Sequence, residues 1–515
     1  MSAGPVDLLL PDGVAATAIA AILGERLDVE PGPARTVERT YLESFDGRLH
    51  DAGLALTGVD GRLVLVDAAT HAERAVAEHM PRDEPLLLAH LEAGALRDTL
   101  APVLEMRAVT PVARVRSRLR TLNVLDEERK TVARVRVEEP TVLLGARKRG
   151  ALRGRVHLLG VRGYDRALER VRDVLVDELG AEEAPRPVQD DAIAASGGTP
   201  GGISSKLGVA PTRDQRADEA AALVLRRLLD VVDANLPGTL ADVDTEFLHD
   251  LRVAIRRTRA LQRELPGVFE PRALRRFRDR FRDLQQLTGP TRDLDVHLLD
   301  FEELASVIPA DVAPDLQPVR TLLEQRRAAE QRAMVRALRS ARSRRLLDNW
   351  GELVDGLPET DEAPRPDAGR PIADVASTRI RKVYKRMVRM GRAIDDASPS
   401  EDLHDLRKKG KELRYLLEFF SALYPDEVVK PLVKSLKALQ DVLGRHQDRE
   451  VQAHMLRRIA DDVAALDRGA AALMAMGLLA ERLGAEQMRA RAQFAESFAT
   501  FAAKDQRALV KETFG

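Results

Sequence analysis

Phe247-Leu248-His249-Asp250-Leu251-Arg252, running on to Arg256 and Arg259, is written again 155 residues later as Asp402-Leu403-His404-Asp405-Leu406-Arg407, running on to Lys411 and Arg414. At about 100° per residue, His249, Arg252, Arg256 and Arg259 share one narrow sector of a helix, and so do His404, Arg407, Lys411 and Arg414. That sector is cationic where a core-facing sector would be apolar. Like charges at this spacing repel by a few tenths of a kcal/mol per pair, so two such stripes imply something anionic beside or between them.

The offset holds well beyond the block. Arg226 and Arg227 correspond to Arg381 and Lys382, Arg275 to Lys430, Arg282 to Lys437, and Thr245 to Ser400. Downstream, Leu284-Gln285, Gly289, Asp293 and Val296 match Leu439-Gln440, Gly444, Asp448 and Val451, with no net insertion. A repeat this long contains several helices, so it reads as two halves of one domain related by a pseudo-two-fold axis.

Around the repeat the pattern is helical, with apolar residues every three or four positions over 217–236, 245–265, 272–288 and 292–304. Thr245 and Ser400 sit where N-caps belong, each followed by a glutamate, and Gly289 and Gly444 are expected to mark helix ends. Upstream, short alternating or β-branched segments such as 35–43, 62–66 and 131–137 predict an α+β region dominated by an antiparallel sheet. Two breaks divide the chain: 181–215, rich in Pro, Gly, Ser and Ala, expected to be a flexible tether, and 356–371, with Pro358, Pro364, Pro366 and Pro371, expected to be a hinge. The expected domains are 1–180, the linker 181–215, and 216–515 with halves of about 216–355 and 372–515.

Composition sets the outer bounds. The chain has 515 residues, 44% of them hydrophobic, ample for packed cores. Its 81 basic and 82 acidic residues nearly cancel, so the stripes are local features of a balanced surface, unlike a general DNA-coating protein. Without cysteine there are no disulfides, thiol nucleophiles or thiolate metal sites. Met1 to Asp7 shows no secretory pattern, and the most apolar stretch, roughly 470–480, is too short to cross a bilayer of about 30 Å, so a cytoplasmic protein with no membrane partner is expected.

Both copies of the block resemble the CHAD domain, the conserved-histidine α-helical domain, over about residues 211 to 515. The resemblance implies an all-helical domain of two halves that binds inorganic polyphosphate in a basic groove and localises to polyphosphate granules. It places the binding set on His249, Arg252, Arg256, Arg259, His404, Arg407, Lys411 and Arg414, supported by Arg226, Arg282, Arg381 and Lys437. Arginine stays charged and presents a rigid fork matched to phosphate oxygens, while lysine serves as a mobile point charge. A stripe from His249 to Arg259 rises about 15 Å, enough to follow several phosphates of a polymer. Aromatics make up only 3% of the chain and none interrupts that stripe, which argues against base-stacking platforms and hence against nucleic acid. Either histidine is a ligand contact or a satisfied core residue near a helix start. Asp293 and Asp448 read as caps or as partners orienting an arginine, and no metal ligand, nucleotide loop or cofactor is expected here.

The N-terminal region is similar to CYTH domains, the triphosphate tunnel metalloenzymes, through Tyr41-Leu42-Glu43-Ser44-Phe45-Asp46-Gly47-Arg48-Leu49 and the following Ala52-Gly53-Leu54-Ala55-Leu56. That resemblance implies antiparallel strands closing a barrel or tunnel in which glutamates hold divalent metal. The family's first-strand Glu-x-Glu-x-Lys is replaced by Val6-Asp7-Leu8-Leu9-Leu10-Pro11, and the arginines expected after Leu56 by Thr57-Gly58. Arg114, Arg116 and Arg118 alternate as if on one face of a strand. Phosphoanhydride hydrolysis needs carboxylates to hold the activating ion, so a degenerate, non-catalytic domain is expected, with no catalytic residue assigned. A metal-dependent triphosphatase or polyphosphatase, or a nucleic-acid or granule scaffold using the same stripes, stand as the alternatives.

Overall fold

The computed structural model describes residues 6–81, 85–145 and 148–515, so Met1 to Pro5 of the leader reading lie outside the described residues. Two compact units divide at Ser205/Lys206, inside the expected linker. The first contains β1 (Val6–Leu9), α1 (Ala16–Gly24), β2 (Asp28–Ser44), α2 (Arg48–Asp51), β3 (Leu54–Val59), β4 (Arg62–Asp67), β5 (Glu73–Ala77), α3 (Ala95–Leu104), β6 (Val109–Leu125), β7 (Thr131–Leu143), β8 (Arg149–Ala151), β9 (Arg155–Gly160), α4 (Asp165–Asp173), β10 (Glu182–Glu183) and α5 (Val188–Ala195). The strands form one antiparallel sheet in the order β10-β1-β9-β7-β6-β2-β3-β4-β5, with β8 against β7.

Side chains alternate across this sheet. One face packs Leu8, Leu10, Val135, Val137, Val156 and Leu158 against Ile19 and Leu23 of α1 and Leu168 and Val171 of α4. The pairs Asp7↔His157, His157↔Arg136 and Arg155↔Glu138 put polar side chains on the opposite face. There Glu138 accepts from Arg39 (2.7 Å), Ser117 (2.5 Å) and His157 (2.9 Å). Burial alone would lower the basicity of His157, but its bonds to Asp7 and Glu138 win and raise it to about 9.

The sheet is open, and the expected closed barrel is not formed. β1 is already paired on both sides, to β9 and β10, so it has no edge to offer β5. The expected tether is also partly ordered. Val188, Ala192 and Ile193 recur at helical spacing and pack with Tyr41, Ala113, Val115 and Val142, while buried Arg155 bonds the Arg186 carbonyl and Asp191. Composition averaged over a long window hides a helix this short.

The second unit is helical: α6 (Ala217–Ala241), α7 (Thr245–Glu264), α8 (Pro271–Leu287), α9 (Gly289–Leu299), α10 (Phe301–Ala305), α11 (Gln317–Leu338), α12 (Ala341–Asp355), α13 (Ile372–Arg392), α14 (Ser400–Phe420), α15 (Asp426–Ala464), α16 (Gly469–Ala492), α17 (Phe494–Phe501) and α18 (Lys504–Thr513). α6, α7 and α8 begin 155 residues before α13, α14 and α15, so the repeat in sequence is a repeat in structure. One apolar core takes Leu248, Leu251 and Ile255 from α7 and Leu403, Leu406 and Leu413 from α14, together with Trp350, Phe277 and Phe281.

Three local expectations shift. The cap of α7 is Asp244, whose carboxylate accepts from the Glu246 and Phe247 amides, and Pro399 precedes α14, so Thr245 and Ser400 are the first helical residues. Gly444 lies inside the continuous α15, whereas its counterpart region breaks into α8 and α9. Pro290, which the second copy replaces with Arg445, cannot donate its amide to a continuing helix. The expected hinge at 356–371 is a clamp: fully buried Arg365 bonds the Leu357 carbonyl (2.9 Å) and the buried Asp218 of α6 (3.3 Å).

Candidate anion-binding site

α7 and α14 cross antiparallel, and two ion pairs fix the crossing. Arg257 meets Glu418 at 2.7 Å and Arg263 meets Glu412 at 3.4 Å. Under the 155-residue offset Glu412 is the counterpart of Arg257 and Glu418 of Arg263. The contact is therefore isologous, the signature of an internal two-fold axis, with the charges divided so that one copy supplies both cations and the other both anions.

Counterparts near such an axis must approach each other. Arg256 and Lys411 are counterparts, and the charge of Arg256 bears directly on Lys411. Burial first, then Arg407 and Arg256, push the Lys411 ammonium down to about 8. Arg252 and Arg259 are likewise lowered, first by burial and then by cationic neighbours, Arg256 and Arg292 for the former and Arg263 and Arg282 for the latter. The two stripes thus run together into one row of positive charge, half-buried except at the exposed Arg414.

The arginines of this row are held in a matched way. Arg252 donates to the Gln285 carbonyl and to Thr288 Oγ1, both at 2.8 Å, with Asp293 nearby. Arg407 donates to Asp448 at 3.3 Å. Gly289 and Gly444 lie against these guanidiniums, each 3.8 Å from where a Cβ would stand. Arg259 bonds the Gln285 side chain, Arg414 pairs with Glu418 at 2.7 Å, and His404 Nδ1 bonds Gln447. His249 is half-buried in the second turn of α7. Among the described residues neither Arg256 nor Lys411 takes part in an ion pair, and Arg256 Nε is buried without a hydrogen-bond partner.

The outlying positions are less uniform. Arg282 is exposed, pairs with Asp279 at 3.0 Å, and adds its field to Arg259. Arg226 is turned to Asp355 and the Gly351 carbonyl on α12, which ties it to the core of its own half. Arg381 is half-buried on α13 and Lys437 exposed on α15. Arg292, which no repeat register singles out because Gln447 is its counterpart, bonds the Thr245 carbonyl at 3.3 Å and adds charge beside Arg252.

Residues 223–457 match the family model of the CHAD domain. A crystal structure of the CHAD domain from the plant Ricinus communis superposes with a TM-score of 0.50 at 25% identity, covering 58% of this chain and 96% of that one. The helical unit carries a CHAD domain. Two uncharacterized proteins of Mycobacterium tuberculosis, from strains CDC 1551 and H37Rv, are each 31% identical over 219 residues, 41% of this chain. The matched region spans 40% of the length of those relatives. Within the CHAD domain, α7 and α14 carry the paired histidine and arginine stripes, and the pseudo-two-fold axis passes between them. Among the described residues no helix of the chain is long and apolar enough to cross a membrane.

On the other unit, Arg116 pairs with Glu38 at 2.9 Å, and the strand register puts Arg114, Arg116 and Arg118 on the face opposite Arg39 and Glu138. The alternation read from the sequence is real, but it points away from the polar side of the sheet.

Proposed function

We propose that the CHAD domain binds inorganic polyphosphate along the row formed by Arg252, Arg256, Arg259, Arg407, Lys411 and Arg414, with His249 and His404 at its ends, and that this binding associates the protein with polyphosphate granules. One observation carries the reading: Arg256 and Lys411 lie within reach of each other's charge, half-buried and without an ion-pair partner among the described residues. A fold keeps like charges so placed at a cost, and a chain of phosphates relieves that cost at every link. The length of the stripes favours a polymer over a single phosphate.

Titration of the purified protein with long-chain polyphosphate tests it. Replacing Arg252, Arg256, Arg407 and Lys411 together by Ala is expected to weaken binding at least ~100-fold, from about 0.7 kcal/mol per cation. Unchanged affinity in the fourfold variant refutes the assigned row.

A further inference from the structure

The polar face of the sheet brings together three side chains that are far apart in sequence. Asp7 lies on β1, His157 on β9, and His71 in the turn between β4 and β5. Their donor atoms lie within 4.8 Å of one another. Asp7 Oδ1 is 2.7 Å from His157 Nδ1, and Asp7 Oδ2 is 2.8 Å from His71 Nε2. The two imidazoles are 5.4 Å apart and nearly perpendicular.

The outer partners fix what these atoms can do. His157 Nε2 lies 2.9 Å from Glu138 Oε2, and Glu138 is anchored by Arg39 and Ser117. A carboxylate only accepts, so the bond to Glu138 holds a proton on Nε2 and leaves Nδ1 as the ring atom that a metal ion can take, by displacing the proton shared with Asp7. The Glu138–His157 pair is the carboxylate–histidine arrangement that orients metal-binding imidazoles.

We propose that Asp7, His71 and His157 bind one zinc-class transition-metal ion, which clasps the seam that the strands leave open. Two imidazoles and one carboxylate suit zinc or its neighbours, whereas magnesium and calcium call for oxygen cages. This is not the set of glutamates that a triphosphate tunnel implies: on β1 only Asp7 offers a carboxylate to this face. Metal bonds of about 2.0–2.1 Å separate adjacent donors by roughly 3.3 Å, so the two Asp7–histidine spacings need open only about half an ångström. His71 holds φ at 55°, a left-handed conformation uncommon outside glycine, and its side chain is one-third exposed, leaving a way in and room for a fourth ligand. The ion ties β1 to the β4–β5 turn, which no backbone hydrogen bond of the described strands does.

The test uses the full chain stripped with a chelator and then titrated with zinc chloride. Uptake of one zinc per chain, a higher Tm for the zinc-loaded protein, and visible d–d bands when cobalt replaces zinc are expected. Asp7→Asn and His71→Ala should abolish all three; His71 sits in an exposed turn, so its variant keeps the wild-type circular dichroism. Substoichiometric uptake, or uptake that survives both substitutions as adventitious histidine binding would, overturns the proposal. Polyphosphate titration of the same variants stays at wild-type affinity, so this site and the helical row fail independently.

Discussion

Lys411 registers most clearly how like charge accumulates on α14. Its ammonium is lowered to about 8 by burial and by Arg407 and Arg256. The sign follows: below about pH 8 the folded chain carries an unfavourable charge, and between that pH and an unfolded value of about 10.4 the unfolded chain binds more protons. Stability contributed at this site therefore rises with pH through that window. A bound polyanion reverses the preference and restores the proton. Polyphosphate affinity is expected to fall by about threefold between pH 7.5 and 9 in the wild type and to stay nearly flat in Lys411→Arg, measured by titration at fixed ionic strength. Both stripes were legible in the sequence because helical periodicity is local. The influence of Arg256 on Lys411 was not, because it depends on how two helices cross. Arg226 shows the converse: it obeys the repeat offset, yet Asp355 and the Gly351 carbonyl draw it to α12.

Between helices the crossing of α7 with α14 rests on Arg257–Glu418 and Arg263–Glu412. Arg257 and Glu418 are mostly shielded from solvent, so a double-mutant cycle to Ala at this pair is expected to give a coupling of about 1 kcal/mol in denaturant unfolding. The segment between the halves is held more firmly than its prolines advertise. Arg365 and Asp218 are both fully buried, so Arg365→Met leaves a carboxylate whose remaining ion-pair partner is Arg216, and a loss of about 3–5 kcal/mol is expected for the helical unit in the same unfolding experiment. Proline content announces where a helix must stop, and so it located this segment. It carries no information on whether a buried arginine will pin the segment down. The same limit applies to α5, which three apolar side chains order within a run of Gly, Ser and Pro.

For the molecule as a whole the decisive quantity is how charge is distributed, since the net charge of −1 is uninformative. The antiparallel sheet and the duplicated helical unit follow from patterns of period 2 and 3.6, which any sequence displays openly. The open seam of the sheet depends on which edges meet, and neither Asp7, His71 nor His157 stands in a local motif that announces it. The row on α7 and α14 makes a distinctive prediction. Six cations, Arg252, Arg256, Arg259, Arg407, Lys411 and Arg414, give a log–log salt slope of about −4 at roughly 0.7 per neutralised phosphate, and the fourfold Ala variant should retain a slope of only about −1.4. Duplex DNA is a stiff rod whose phosphates cannot follow the five cations of the row that sit half-buried, and the stripes from His249 to Arg259 and from His404 to Arg414 contain no aromatic side chain on which an unpaired base could stack. A bare phosphate chain has neither constraint. Duplex DNA at equal phosphate concentration is therefore expected to displace little polyphosphate in a competition titration, while a second, unlabelled polyphosphate displaces all of it; full displacement by DNA would show that the outer, solvated arginines do the binding and that the recessed Arg256 and Lys411 do not.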